Sequence, residues 1–250
     1  QLAPDYIDTF KITNLNAEMS LHTVEISRNA FQSAEDLELT KELLRQTSIY
    51  KESSKNFKDY AFKPLLKLPL FINKISPAVR SQIGGPDGFY FGDLSIAMHS
   101  ELILKRNLTI TGVASIGVLN NFGPLKLASD SVLPHVRTDI VRYLKESKSA
   151  HITRLQANYF LNPYKSFFVK LSGGILETMF GGIGSEVLWR PFDKNYAIGA
   201  ELWRVQQREY EMLLSFRDYR TTTGFINLFY REPKSKITVA VKGGKFLAGD

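Results

Sequence analysis

The chain has 250 residues, 44% of them hydrophobic and 23% charged, so it is long enough for a substantial core and is not an intrinsically disordered chain. Its formal net charge of +7 suits an anionic partner such as nucleic acid, lipid headgroups or an acidic polymer. The alternative is that the charge serves only to keep the protein soluble. The absence of Cys excludes disulfides and Cys-ligated metals within the chain.

The N-terminal part of the chain differs from the remainder. The alternating stretches "TFKIT" and "HTVEISR" predict two short strands. Ser33 then precedes "AEDLELTKELLRQ", with Asp36 three residues further on, which predicts a capped and partly amphipathic helix. "KESSKNFKD" is polar and basic, as linkers often are. We therefore expect a small α+β module at residues 1–50, a linker at 51–62 and a β-barrel domain at 63–250.

From Phe62 onward the sequence predicts strand after strand. In "FYFGDLSIAMHSELILK", apolar and polar residues alternate, so that Leu94, Ile96 and Met98 share one face. Long loops are predicted at residues 73–88 and 121–136, which are rich in turn residues. Long consecutive alternating strands predict a mainly β, antiparallel, up-and-down barrel of about ten or more strands. The same alternation recurs in "NLTITGVASIGVLN", "RLQANYFLN", "SFFVKLSGGIL", "GGIGSEVLWRPFD", "AIGAELWRVQQRE", "TGFINLFYR" and "KITVAVK".

Alternation alone does not say which face of the barrel is apolar. A soluble barrel turns its apolar face inward, whereas a membrane barrel turns it outward to lipid. Small residues on the polar face, and aromatic residues near strand ends such as Trp189 and Tyr196, favour a membrane barrel. Aromatic plugs at the ends of a soluble barrel are the alternative. The apolar stretches are too short for a membrane-spanning helix.

No grouping of residues predicts an enzyme, a metal site or a cofactor. The four His are scattered without the spacing of metal ligands. Glu177, Glu186 and Glu201 lie on neighbouring predicted strands and could form an acid/base pair, as in glycoside hydrolysis. Carboxylates beside Arg and Lys are more often members of a charge ladder. Stacking on single-stranded nucleic acid is disfavoured because the aromatic residues concentrate at strand ends, so no nucleic-acid partner is expected.

Four segments carry a resemblance to a known family: "HVRTDIVRYLKE", "LQANYFLN", "GGILETMFGGIGSEVLWRPFDKNYAIGAELWRVQQREY" and "GKFLAGD". They closely resemble the YjbH-like, or GfcD-like, family of exopolysaccharide and capsule secretion proteins in the outer membrane of Gram-negative bacteria. The resemblance covers nearly all of the chain. It implies an outer-membrane β-barrel, often made with a signal peptide and lipid anchor. It also implies a periplasmic N-terminal module. Because the family is longer at both ends and the chain lacks an initiator Met, we expect a fragment.

The resemblance further implies a role in moving or assembling an extracellular polysaccharide, with outer-membrane lipid and other proteins of the secretion operon as partners. An excess of cations along the lumen would attract an acidic polymer and still let it slide. A non-conducting accessory scaffold, or a polysaccharide-modifying enzyme using Glu177 or Glu186, is the alternative. The residues expected to line the lumen are Arg137, Arg142, Arg154, Lys170, Glu186, Arg190, Glu201, Arg231 and Lys242.

Overall fold

A computed structural model describes residues 6–35, 47–53, 67–83, 87–126 and 139–247, and within them the chain is mainly antiparallel β-structure. The described strands form one sheet of three and one sheet of nine. The smaller sheet contains β1 (Thr9–Asn16), β2 (Met19–Ser27) and β3 (Ile49–Lys51). The larger contains β4 (Leu70–Ile83), β5 (Tyr90–Lys105), β6 (Leu108–Asn120), β7 (His151–Tyr164), β8 (Phe167–Ile175), β9 (Phe180–Trp189), β10 (Tyr196–Arg208), β11 (Phe216–Arg231) and β12 (Thr238–Lys245).

The nine strands of the larger sheet lie side by side in the order of the chain. Each strand runs antiparallel to the next, as in an up-and-down meander. The prediction of mainly β, antiparallel, up-and-down structure is therefore confirmed. Among the described residues, β4 and β12 are the outermost strands and do not pair with each other. Closure into a barrel stays a prediction.

The two faces of the larger sheet differ in polarity. The outer face exposes large apolar side chains, and Ile96, Leu228 and Leu202, for example, expose 48%, 50% and 58% of their full area. The inner face carries the alternate residues, which include buried Ser95, Asn158 and Ser172 on β5, β7 and β8. A soluble sheet normally buries its apolar face and solvates its polar one. The arrangement here is the reverse.

The sequence assigned the wrong start to the first helix. The helix α1 spans Arg28–Glu35, so Ser33 lies inside it and does not precede it. The hydroxyl of Ser27, the last residue of β2, accepts a hydrogen bond of 3.3 Å from the Ala30 N–H, which is an N-cap contact. The helix therefore begins directly where β2 ends. The rest of the predicted helix, residues 36–46, lies outside the described residues.

One predicted loop is a strand. Residues 73–83 belong to β4, although the segment contains Pro77 and was predicted to be a loop over residues 73–88. Pro77 pairs with Ile96 of β5. Proline lacks a backbone N–H and is confined to positions where the sheet does not require one, such as an edge strand. As an edge strand among the described residues, β4 can therefore include it. Most of the second predicted loop, and most of the linker, lie outside the described residues.

A second helix, α2 (Ile140–Glu146), was not predicted and packs at one end of the larger sheet. No helix in the described part of the chain has the length and apolar character needed to cross a membrane. We call this end, which holds the long connection at residues 121–150, the α2 end. We call the opposite end, which has the brief connections at residues 106–107, 165–166 and 190–195, the short-turn end. The apolar core at the α2 end comprises Tyr143, Met179, Phe180, Val205 and Met212, with a second cluster of Phe91, Phe122, Leu125 and Leu144.

The hairpin of β1 and β2 lies against the inner face, and the smaller sheet reaches the short-turn end. The hairpin turns at Ala17 and Glu18, both with positive φ, as a two-residue hairpin turn requires. Just after β3, the Glu52 carboxylate accepts a 2.9 Å hydrogen bond from the Ser166 hydroxyl and lies 3.9 Å from Lys165 Nζ. The residue directly after the smaller sheet is therefore joined to the turn between β7 and β8.

Candidate functional site

A cavity of about 1930 Å³ lies between the inner face of the larger sheet and the β1–β2 hairpin. The hairpin contributes residues 12–18 together with His22 and Val24. Inner-face residues of β5 to β12 line the opposite side. The volume exceeds the ~300–1000 Å³ of ordinary small-molecule pockets, so the space suits an extended ligand better than a compact one.

Charged residues form ion pairs across the middle of the cavity wall. Lys170 Nζ lies 2.9 Å from Glu186 Oε1, and the two residues are direct cross-strand partners. Glu186 is in turn opposite Glu201 on β10. Glu201 forms an ion pair with Lys242 and accepts a 3.1 Å hydrogen bond from the Asn227 amide. Facing carboxylates repel each other, so a lysine beside each of them offsets that repulsion.

Uncharged polar groups form a second cluster beside these pairs. The Gln156 amide donates a 2.6 Å hydrogen bond to Asn158 Oδ1, which also accepts one of 2.9 Å from the Ser172 hydroxyl. All three side chains are buried. Buried polar groups are held in place by such mutual bonds, and hydroxyls and amides can exchange hydrogen bonds with a hydroxyl-rich ligand.

Aromatic side chains complete the wall. The indole of Trp203 lies against Gly184 on the neighbouring strand, so closely that a Cβ at Gly184 would sit 2.1 Å from the ring. Its Nε1–H donates a 3.2 Å hydrogen bond to Glu201 Oε2. The ring of Phe225 has Lys242 Nζ 4.1 Å from its centroid. The cavity thus offers flat apolar surfaces surrounded by hydrogen-bonding groups.

Arg208 connects the segments that form the wall of the cavity at the α2 end. Its fully buried guanidinium donates hydrogen bonds to the carbonyls of Ile152, Glu177, Thr178 and Leu213 at 2.8–3.0 Å, and to that of Met212. These carbonyls belong to the start of β7, the β8–β9 connection and the β10–β11 connection. A single side chain therefore holds three segments together.

Tyr143 of α2 joins the Arg208 network, since its hydroxyl donates a hydrogen bond to the Arg208 carbonyl. Burial raises the pKa of Tyr143 to about 12. Sequence reasoning missed Arg208, because a register shift between Gln206 and Arg208 breaks the period of two that the prediction followed. The only signal was an arginine directly after a run of alternating residues.

The structure brings together five of the nine predicted lumen residues. Arg142 is on α2, where its guanidinium lies 5.1 Å from the Tyr210 ring centroid. Arg190 and Arg231 are exposed at the short-turn end and do not line the cavity, because their strands end there. Arg137 lies outside the described residues. The five that line the cavity are Arg154, Lys170, Glu186, Glu201 and Lys242.

Among the described residues, the lining of the cavity does not carry the expected excess of cations. Three of the predicted cations, Arg142, Arg190 and Arg231, lie elsewhere, and sequence reasoning left out Glu18 of the hairpin tip. Contact between any lining residue and a ligand stays a prediction. The charged Lys, Arg and Glu residues that line the cavity within the described residues are Arg106, Arg154, Lys170 and Lys242 against Glu18, Glu101, Glu177, Glu186 and Glu201.

The described residues contain no group of three or more His, Cys, Asp or Glu side chains that could hold a metal ion. The Glu177 carboxylate lies in the β8–β9 connection. The surrounding protein displaces water from it and holds its pKa above the usual value, and nearby Arg154 partly opposes that shift. What the arrangement offers is a wide surface of paired charges, amides and aromatic rings.

Comparison with known proteins identifies the family. The model of the YjbH family, described as "Exopolysaccharide biosynthesis protein YbjH", matches residues 1–250. A protein of Escherichia coli K12 named "Uncharacterized lipoprotein YjbH" is 36% identical over 184 residues, which are 70% of this chain and 26% of that protein. The chain therefore spans about a quarter of the length of this relative. No solved structure matches the chain. Because the family model matches the chain from end to end, the predicted resemblance is confirmed and the chain belongs to the YjbH exopolysaccharide biosynthesis family.

Proposed function

We propose that this chain belongs to an outer-membrane β-barrel that takes part in the export or assembly of an extracellular polysaccharide, and that the polymer contacts the inner face of the larger sheet. The observation that carries the proposal is the reversed polarity of that sheet. Its exposed face is apolar, and its polar face lines a cavity. Membership of an exopolysaccharide biosynthesis family supplies the class of polymer.

The outer face supports a lipid environment. A contiguous apolar face of this extent is unfavourable in water and marks contact with a membrane or a partner. Its long strands, such as the 16-residue β5 and β11 and the 13-residue β10, exceed the ~9–11 residues that a tilted strand needs to cross a bilayer. Ile183 and Leu202, on β9 and β10, are 67% and 58% exposed. Lipid-facing strands of membrane barrels have this pattern.

An aromatic row near the short-turn end supports a membrane interface at that level. The ring centroids of Tyr164 and Phe167 are 6.5 Å apart, those of Phe167 and Trp189 6.3 Å, and those of Trp189 and Tyr196 6.0 Å. Tyr164 and Trp189 end β7 and β9, and Phe167 and Tyr196 begin β8 and β10. Membrane barrels carry such girdles where strands leave the hydrocarbon region.

We further propose that the short-turn end faces the periplasm. In outer-membrane barrels the short turns are periplasmic and the longer loops are extracellular. The contact between Glu52 and the β7–β8 turn supports a periplasmic position for the N-terminal module. The name of the E. coli relative, a lipoprotein, suits a protein of the cell envelope.

Closure of the sheet is part of the proposal. Within a bilayer every backbone group needs a hydrogen-bond partner, so β4 and β12 must pair with each other or with further strands.

The role we propose is not enzymatic. Glu186 and Glu201 each contact a lysine, which suits a structural charge ladder better than an acid/base pair. Because the lining lacks a cationic excess, it does not support an acidic polymer over a neutral one.

The experiment that tests the proposal uses the full-length gene product in a strain that secretes the polysaccharide. Deletion of the gene should abolish or reduce extracellular polymer, and complementation should restore it. The protein should fractionate with the outer membrane and show an electrophoretic shift that depends on boiling. A soluble product without that shift, or polymer export that does not change on deletion, would contradict the proposal.

A second candidate function is a non-conducting accessory scaffold. The observation that favours it is the position of the β1–β2 hairpin, whose residues 12–18 line the cavity opposite the inner face. Met19 of the hairpin also faces Lys170, Glu186 and Glu201 across a smaller cavity of about 240 Å³. A segment in this place restricts passage along the inner face. The barrel would then hold partners in place, while another subunit carries the polymer.

A further inference from the structure

We infer that Trp203 is a stacking platform for one uncharged pyranose unit of a polysaccharide on the inner face. The inference deepens the proposed function and rests on it for the presence of a polysaccharide in the cavity. It adds a specific subsite, on β9 and β10, and the class of sugar that the subsite takes.

The shape of the subsite comes from the pairing of a tryptophan with a glycine. Trp203 is directly opposite Gly184 in the register of β9 and β10. Because Gly184 has no side chain, the indole lies against its backbone, where a Cβ would be 2.1 Å from the ring. The hydrogen bond from Nε1–H to Glu201 restricts rotation of the indole away from this position. One indole face is thus covered by the sheet, and the residue lines the cavity.

An indole held in this way suits a sugar ring. The C–H groups on one face of a pyranose carry partial positive charge, and the face of an aromatic ring is the negative part of its quadrupole. The hydroxyls at the edge of the sugar then need polar partners. Asn158, which lies beyond Ser172 in the cross-strand row of Gly184, lines the cavity, and so does Thr223, which follows Trp203 on the other side. With strands ~4.8 Å apart, these groups flank the platform.

The charges around the platform select against acidic sugars. Lys170 and Lys242 are already engaged by Glu186 and Glu201, so a uronate would have to compete with a protein carboxylate for either lysine. Glu201 also accepts the hydrogen bond from the Trp203 indole, so this carboxylate lies beside the platform and would repel a uronate. A neutral sugar neither competes with a carboxylate for a lysine nor is repelled by one. The geometry therefore points to an uncharged pyranose.

The test measures oligosaccharide binding to the purified full-length protein by calorimetry, in a detergent without a sugar headgroup. The neutral probes are cellohexaose, maltohexaose and hexa-N-acetylchitohexaose, and the acidic probe is hexagalacturonic acid. Trp203→Ala removes the platform, and Trp189→Ala is its control because Trp189 is on the outer face. Gly184→Ala keeps the indole but displaces it. Its control is Gly199→Ala on the same face, where a Cβ would meet nothing closer than 3.5 Å.

We expect at least one neutral probe to bind, and to bind roughly tenfold more weakly to W203A and to G184A, as the loss of one aromatic contact implies. W189A and G199A should bind as the unchanged protein does. Each variant is first shown to be folded by its boiling-dependent shift.

Three results would overturn the inference: no binding of any neutral probe, binding by W203A and G184A that is unchanged from that of the unsubstituted protein, or tighter binding of hexagalacturonic acid. The polymer export of the deletion strain separates this inference from the proposed function. If export requires the protein and W203A binds normally, only the platform is wrong. If export does not require the protein, the proposed function is wrong whatever the calorimetry shows.

Discussion

At the scale of single residues, Arg208 contributes more to the fold than any surface charge does. A surface arginine gains little because water solvates its guanidinium equally well in the unfolded chain. Arg208 is fully buried and supplies the donors for five backbone carbonyls from three separate segments. Its removal leaves those carbonyls without a partner away from water, and that cost is larger than the value of the bonds themselves.

We predict that Arg208→Met lowers the free energy of unfolding by about 3 kcal/mol or more. The control is Arg204→Met on the same strand. Arg204 shares the outer face with Leu202, is exposed and donates one hydrogen bond of 2.8 Å to Thr222, so its replacement by an apolar side chain should cost less than about 1 kcal/mol. Urea titration of the full-length protein in lipid vesicles measures both values. Equal losses in the two variants would show that the Arg208 network does not hold the α2 end together.

Tyr143 gives a prediction about pH, since burial raises its pKa from 10.0 to about 12. Between these two values the native protein holds a proton that the unfolded chain releases. The free energy of unfolding should therefore fall as the pH rises from about 10 to about 12, and this particular fall should be absent in Tyr143→Phe. The difference in tyrosinate absorbance between the two proteins gives the pKa directly. An ionisation near the usual value would contradict the burial of the hydroxyl.

At the scale of elements, the sequence predicted the strands from β5 to β12 and the faces of most of them. Alternation survives there because each strand has one apolar face and one polar face, as in β10 with Ile198, Ala200 and Leu202 against Glu201 and Trp203. Tight connections such as the one at Arg106 and Asn107 were also visible in the sequence. A period of two is a property of local geometry, so it can be recognised without knowledge of the tertiary structure.

The elements that were missed depend on tertiary context. β4 contains Pro77 and has turn-rich residues after it, and it is a strand because it pairs with β5 along its whole length, which no local pattern shows. The helix α2 has a short apolar pattern and is held by the burial of Tyr143 and Leu144 under the sheet end. Lys170, in the middle of a strand, lines the cavity, as the alternation indicated. Arg231 does not, because β11 ends there and the alternation no longer fixes a direction.

The β1–β2 hairpin yields a prediction at this scale. Residues 13–23 can be replaced by an Asn-Gly turn, which joins the existing cross-strand pair of Ile12 and Val24 and leaves the pairing of β2 with β3 at Val24 and Tyr50. We expect this shortened hairpin to raise conductance in planar bilayers relative to the full-length protein. The control variant changes only Ala17 and Glu18 to Asn-Gly and keeps the hairpin length. Unchanged conductance in the shortened protein would mean that the hairpin does not obstruct a passage.

At the scale of the whole molecule, the account depends on which face of the larger sheet meets lipid. The polar inner face, the aromatic row and the subsite at Trp203 have the meaning we give them only if the outer face is in hydrocarbon. A slip of one residue in the register would exchange every side chain between the two faces. The claim is therefore about alternate residues of one strand, and it can be tested there.

The most direct measurement is the collision accessibility of nitroxide spin labels at single Cys substitutions of Ile226, Asn227, Leu228 and Phe229 on β11. This chain contains no native Cys, and any others in the full-length protein would be replaced. In lipid vesicles, we predict that oxygen reaches the labels at Ile226 and Leu228 best, and that a water-soluble nickel complex reaches those at Asn227 and Phe229 best. Nickel accessibility that peaks at Ile226 and Leu228 would place the apolar face in water and contradict the membrane barrel.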